Sequence, residues 1–187
     1  MYNIETRVIT TDRLYLRPFN LSDAECVSRL CNSFNVHKST LSLPYPYPIE
    51  SALNWIPLHK EWFENDKRYE FAITDRVSGV LYGCIGLNND KNHKNGEVGY
   101  WIGEEYWGNG YATEALQTII HFAFLHKGYH KIHSRHFKSN PASGRVMVKA
   151  GMKYEGRQKD HIYKNSTYET FILYGIINPA QLDSAKL

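Results

Sequence analysis

The segment WGNGYAT (107–113) sets two glycines, Gly108 and Gly110, one residue apart, with Ala112 following at the same interval. Before it, EVGYWI (97–102) reads as a buried strand; after it a helix starts abruptly. A loop that enters a helix this way exposes consecutive backbone N–H groups with no partner in the preceding turn. Those groups, with the helix dipole behind them, make a seat for a phosphate or pyrophosphate. Small residues at alternate positions let such a group approach the main chain, because no branched Cβ stands in the way. Two nucleotide-binding patterns fail on spacing. A Walker loop ends Gly-Lys-Ser/Thr, whereas Gly110 is followed by Tyr111-Ala112-Thr113. A Rossmann fingerprint belongs to the first strand–helix unit, with an acid about 20 residues on, and neither condition is met. A structural tight turn is the competing reading of the loop.

Other side chains could add proton chemistry. Glu97 opens the strand and shares one of its faces with Gly99 and Trp101. With an ordinary pKa of about 4.3 it serves as a base only if burial raises it or a water relays the proton; a solvated strand-end carboxylate is the alternative. Asn140-Pro141 reads as N-cap and first residue of a helix. His121, His126, His130, His133 and His136 suggest a metal cluster, but His133 and His136 lie three apart on a strand and face opposite ways. No metal site is expected.

The elements that position these residues follow from periodicity. Alternation over 13–18 gives a strand, and Ser22 to Glu25 reads as a capping box before a helix with Ala24, Val27, Leu30 and Cys31 on one stripe. LSLPYPYPIE (41–50) has three alternating prolines and must be loop. A helix then runs to about 65, kinked or split by Pro57. Strands are expected over 69–74, 80–87, 97–102, 132–137 and 168–177. The main helix carries Ala115, Leu116, Ile119, Ile120 and Ala123 inward and stops at Gly128, and the helix from Asn140 ends at Gly151. One α/β domain spans 1–177, followed by a tail over 178–187.

Composition narrows the function classes. Lys and Arg exceed Asp and Glu only by 22 to 19, with no block of like charge, so nucleic acid is not an expected partner. Three cysteines, Cys26, Cys31 and Cys84, lack metal or disulfide spacing and suit a reducing, cytoplasmic setting. No apolar run is long enough to span a membrane, and the first residues do not resemble a signal peptide.

VGYWIGEEYWGNGYATEAL (98–116) resembles the acyl-CoA signature of the GNAT acetyltransferases, in the RimJ/RimL-like branch that acetylates protein N-termini. TDRLYLRPF (11–19) and NPASGRVMVKAGMKYEG (140–156) match the same branch in the right order, and the resemblance covers roughly 8–177. Trp107 stands where the superfamily pattern has Gln or Arg. The resemblance implies an α/β (α+β) domain: a central mixed, mostly antiparallel sheet of six to seven strands, about four helices, and strands 97–102 and 132–137 splayed apart. It implies acetyl-CoA as cofactor without metal, its diphosphate on the amides of Trp107, Gly108, Asn109, Gly110, Tyr111, Ala112 and Thr113. Pantetheine would run along Tyr100, Trp101 and Ile102, with the Ile102 N–H as oxyanion donor. Glu97 is then the candidate proton acceptor. Ser143, three after Asn140, is the candidate hydrogen-bond donor to sulfur, since the position that often carries Tyr holds Met147. Asn140 is a candidate to meet the pantetheine amides, with its N-cap role as the alternative; Arg135, Lys138, Arg145 and Lys149 flank the cleft as candidates for the 3′-phosphate, with solvated surface charge as the alternative. Tyr45, Tyr47 and Tyr163 would wall the acceptor. That acceptor is a protein N-terminus, as on ribosomal proteins, or a small amine (antibiotic, amino acid or polyamine); a non-catalytic acyl-CoA-binding module is the third class. A homodimer stays open.

Overall fold

Among the described residues nine strands form one sheet, in the order β1-β2-β3-β4-β5-β6-β7-β9-β8. They are β1 (Tyr2–Asn3), β2 (Val8–Thr10), β3 (Leu14–Arg17), β4 (Arg68–Asp75), β5 (Leu81–Asp90), β6 (Asn95–Ile102), β7 (Lys131–Phe137), β8 (Lys153–Lys164) and β9 (Thr167–Ile177). This computed structural model describes residues 2, 3 and 5–182. Every pairing is antiparallel except β6 with β7. The helices are α1 (Ala24–Cys31), α2 (Phe34–Ser39), α3 (Ile49–Trp55), α4 (Leu58–Glu64), α5 (Tyr111–His126), α6 (Pro141–Lys149) and α7 (Pro179–Leu182).

Period-two alternation in the central strands feeds two cores. Tyr69, Phe71 and Ile73 of β4 pack with Ile85, Leu87 and Val98 under Ala115, Leu116 and Ile119 of α5. The opposite face puts Ala72, Cys84 and Trp101 against Val27, Leu30 and Cys31 of α1, with Val36 and Ala52. Strands buried on both sides read as near-continuous apolar runs, as β4 and β5 do.

The sheet exceeds six or seven strands because β1 and β2, two and three residues long, are too short to show a period, and β8 is exposed or half-exposed throughout. The helix count rises because α2 is short and Pro57 does split the next helix into α3 and α4. The capping box sits two residues earlier than Ser22: Asp23 Oδ2 accepts the Asn20 N–H at 2.8 Å, in a 3₁₀ turn ahead of α1. Part of the expected tail is structured. Asn178 is buried, donating to the Tyr129 carbonyl at 3.2 Å, and α7 follows it. Residues 183–187 of that tail lie outside the described residues.

Candidate active site

Strands β6 and β7 pair at Asn95, Gly96 and Glu97 with Lys131, Ile132 and His133, and then part. Beyond that point the Ser134 hydroxyl donates to the Val98 carbonyl at 2.7 Å, one side chain spanning a ladder that has opened. The phase of β6 decides which backbone groups look into the gap. The Gly103 N–H donates to the Tyr82 carbonyl at 2.8 Å and Gly83 pairs Ile102, so Val98, Tyr100 and Ile102 turn their polar groups away from β5. The Ile102 carbonyl accepts the Trp107 indole N–H at 2.7 Å. The N–H groups of Tyr100 and Ile102 face the opening.

At the end of β6 a 3₁₀ turn (Glu104–Tyr106) delivers the chain to the glycine loop. Other elements brace it. Glu104 accepts from Ser33 Oγ at 2.5 Å and from Asn35 Nδ2 at 2.7 Å, while Arg29 pairs Glu105 at 2.9 Å. Gly108 and Gly110 both adopt φ of +82°, the left-handed region where a side chain is disfavoured. Gly110 caps α5, whose first internal bond runs from the Glu114 N–H to the Gly110 carbonyl at 3.1 Å. The N–H groups of residues 108 to 113 find no partner among the described residues. The Trp107 N–H is taken by Glu104 at 3.2 Å, which removes it from the expected diphosphate set. Arg13, from the segment before β3, donates to the Asn109 carbonyl at 3.0 Å and to Glu114 Oε2 at 2.7 Å. Tyr111 stacks on Tyr82, ring centroids 4.2 Å apart.

Two cavities meet at the gap. The first, about 310 Å³, lies along Tyr100 to Ile102, the glycine loop, Asn140, Ser143, Arg145 and Lys149. The second, about 320 Å³, lies on the α1-to-α3 face and is lined by Glu70, Glu97, Gly99, Trp101, Arg135 and the wall 39–43, among others. Ser39, Tyr100, Trp101 and Ser143 belong to both. The break in the sheet therefore lies between a cleft along the glycine loop on one side and a second cavity of similar size on the other.

A family model described as an acetyltransferase (GNAT) domain matches residues 13–153. The chain belongs to the GNAT acetyltransferases. The "Uncharacterized N-acetyltransferase YoaA" of Bacillus subtilis (strain 168) is 30% identical over 176 residues, 93% of this chain and 98% of its own length. Among solved structures, RimL, the ribosomal L7/L12 alpha-N-protein acetyltransferase in complex with coenzyme A, superposes with TM-score 0.84 at 20% identity, covering 92% of this chain and 99% of that one. Spermidine N-acetyltransferase from Vibrio cholerae, with CoA and spermine, gives TM-score 0.78 at 20% identity over 92% and 99%. This GNAT domain is thus an acetyl-CoA-dependent N-acetyltransferase. Its own loop fits the coenzyme's diphosphate: two left-handed glycines leave no Cβ over a row of unpartnered amides.

Within that frame the residues read from sequence separate. Tyr100, Trp101, Ile102, Trp107, Gly108, Gly110, Tyr111, Ala112, Thr113, Asn140, Ser143 and Lys149 line the first cavity. Asn109 does not; its side chain folds back onto the Tyr106 and Trp107 carbonyls at 3.1 and 3.2 Å. Asn140 acts as N-cap, its Oδ1 accepting the Ser143 N–H at 3.4 Å. The Ser143 hydroxyl lies 2.9 Å from the Tyr100 hydroxyl, whose pKa burial pushes up. Met147 is core. Glu97 is 29% exposed and bound to Arg135 Nε at 2.9 Å.

The three tyrosines assigned to the acceptor wall do not line the second cavity. Tyr47 is buried among α1 and α3, Tyr45 packs on Phe34 and His37, and Tyr163, 65% exposed, sits on the β8–β9 hairpin beside Tyr168. That cavity is walled by Ser39 to Leu43 with Trp55 and Phe171. Lys164 holds that wall in place, donating to the carbonyls of His37 (2.9 Å), Thr40 and Leu41 (3.3 Å). Among the described residues no group of three His, Cys, Asp or Glu is placed for a metal ion, and no helix is long and apolar enough to cross a membrane.

Proposed function

We propose that this enzyme acetylates the N-terminal α-amine of a protein or peptide. The observation that carries the reading is the charge balance of the acceptor chamber. It holds two carboxylates, Glu70 and Glu97, and each is paired with a guanidinium, Arg68 and Arg135. A polyamine brings several positive charges and calls for an acidic trough; a chamber with near-zero net charge suits a single ammonium. An α-amine also has a pKa near 7.7 to 8.0, so much of it is within easy reach of the neutral, nucleophilic form, unlike a lysine at about 10.4.

Bound acetyl-CoA supplies an activated acyl thioester. The chain's own groups do the rest. The amides of residues 108 to 113 hold the diphosphate, and Arg145 and Lys149 face the same cleft. The N–H groups of Tyr100 and Ile102, aimed into the gap, orient the pantetheine and offer a donor where negative charge develops on oxygen. Ser143 and Tyr100 stand together where the two cavities join, as hydroxyl donors for sulfur. Glu97, at the chamber wall, draws the ammonium in. Glu97→Gln is expected to raise KM for the amine about tenfold with little change in kcat, read by thiol release.

Incubating the protein with acetyl-CoA and a panel of free-N-terminus peptides, spermidine and aminoglycosides, then measuring intact mass, tests the acceptor class. A gain of one acetyl group on peptides supports the proposal. Gain on spermidine alone overturns it in favour of the polyamine reading that the spermidine enzyme's fold invites.

A further inference from the structure

Strand β4 places Tyr69, Phe71 and Ile73 in the core beneath α5, so Glu70 is turned to the acceptor face with Arg68 and Ala72. Cross-strand register lines up rows on that face. Arg68 pairs Asn88, which pairs Glu97; in the next row Glu70 pairs Gly86, which pairs Gly99. The second row has side-chain substance only at Glu70. A Cβ on Gly86 would meet the Glu70 carboxylate at 2.6 Å, so the carboxylate lies across that glycine. A Cβ on Gly99 would meet nothing within 4 Å, so the last position of the row is bare chamber floor.

The carboxylate is held there deliberately tight. Its side chain is 2% exposed, Arg68 Nε engages Oε1, and the Cys84 thiol donates to Oε2 at 3.0 Å. Burial pushes its pKa up, against the pull of Arg68 and Cys84. Other ionisable groups lining the chamber are Glu97 and Arg135 across the floor and His136 of β7; His59 of α4, whose pKa burial and Arg68 lower to about 4, faces Arg68. An apolar residue at this position would serve folding at least as well, since a buried ion pair is poor value for stability. Glu97, by contrast, is more open to solvent and already bonded to Arg135.

We infer that Glu70 is the proton acceptor for the incoming amine, taking a proton from an ammonium that rests over Gly99. One N–H bond breaks, one Oε–H bond forms, and the lone pair stays on nitrogen, which then bonds to the acyl carbon as the C–S bond breaks. The nitrogen, cationic once bonded to carbon, loses a second proton to the hydroxyl pair or water, and the sulfur, leaving with the electron pair of the C–S bond, takes a proton from that same relay, so one proton in all is released through Glu70. The Glu70 carboxyl returns its proton to water on the side of Arg68, which is 39% exposed. This assignment rests on the amine-acetylating reading above.

The test compares wild type with Glu70→Gln on the peptide that the wild type acetylates, from pH 6.5 to 9.5, with CoA affinity followed by calorimetry. A general base contributes about 100-fold or more, so kcat at pH 7 should fall by about that factor while CoA affinity stays within about twofold. The deficit should shrink toward pH 9.5, where the α-amine is neutral unaided. A purely structural defect would not fade with pH. Glu70→Asp, with its charge kept and its reach shortened, should recover part of the rate. It also carries the same pH test if the Gln variant fails to fold. A folded, CoA-binding variant that keeps wild-type turnover, or a deficit equal at every pH, overturns the role of Glu70. A wild type that acetylates no amine overturns the functional reading itself, and this inference with it.

Discussion

The two cavities that meet at the β6–β7 gap are built from different materials. The cofactor cleft is made largely of main chain: a run of amides, two left-handed glycines and the turned-out edge of β6. The chamber we assign to the acceptor is made of side chains gathered from distant segments, Arg68 and Glu70 of β4, Glu97 of β6, Arg135 of β7, Phe171 of β9 and the wall 39–43. Main-chain recognition tolerates sequence drift as long as the glycines remain, and side-chain recognition does not. A GNAT domain can thus keep one coenzyme while its acceptor changes.

That contrast can be broken most directly at Gly110. Gly110→Val puts a β-branched residue at φ +82° and a methyl over the amide row. To escape the strain of about 1–2 kcal/mol the free loop relaxes, and binding must then restore the strained shape beneath an added side chain, so CoA affinity by calorimetry should weaken about 10-fold or more, each 1.4 kcal/mol being tenfold. Unchanged affinity would move the diphosphate elsewhere. The reciprocal change is Lys164→Met, which keeps the stem and removes the donor to the His37, Thr40 and Leu41 carbonyls. KM for the amine should rise about fivefold while CoA affinity holds, a partly exposed charged hydrogen bond being worth about 1 kcal/mol. A parallel loss of CoA binding would show the two cavities to be mechanically one. The smallest effect concerns acid stability. Burial pushes Glu114 up, but the Thr11 hydroxyl and Arg13 outweigh it and hold the carboxyl below its usual range. Its folded pKa lies below the unfolded value of about 4.3, so its contribution is full above that pH and is lost as pH falls through the folded value. Glu114→Gln should therefore flatten the decline of the urea midpoint below about pH 5. An equally steep decline would assign acid sensitivity to other carboxylates.

Legibility followed the same division. The glycine loop could be read because it rests on residues whose backbone freedom is their function, and α5 because its apolar stripe repeats over 16 residues. Strand β8 was invisible: KYEGRQKDHIYK is exposed or half-exposed throughout and offers no alternation to count. Helix α2 is too short for a period, and its one signal is Ser33, whose hydroxyl accepts from the Asn35 and Val36 N–H groups. Glu70 escaped notice because it sits inside the apolar run YEFAI, where a single carboxylate looks like an interruption. Its meaning lies in two glycines 16 and 29 residues away, brought level with it only by register. The tyrosines Tyr45, Tyr47 and Tyr163 lie off the second cavity for a complementary reason: aromatic content says nothing about which side of a loop faces a cavity, and Tyr47 spends its ring on the core.

The lysine staple at position 164 has a consequence for how the enzyme matures. Every residue lining the cleft along the glycine loop lies at or before Lys149 in the chain, whereas the second cavity needs a cation and a phenyl ring that come later, Lys164 and Phe171. Synthesis from the N-terminus therefore completes the lining of one cavity before the other, and a chain cut short after Lys149 would keep the first set of residues while losing the staple of the second.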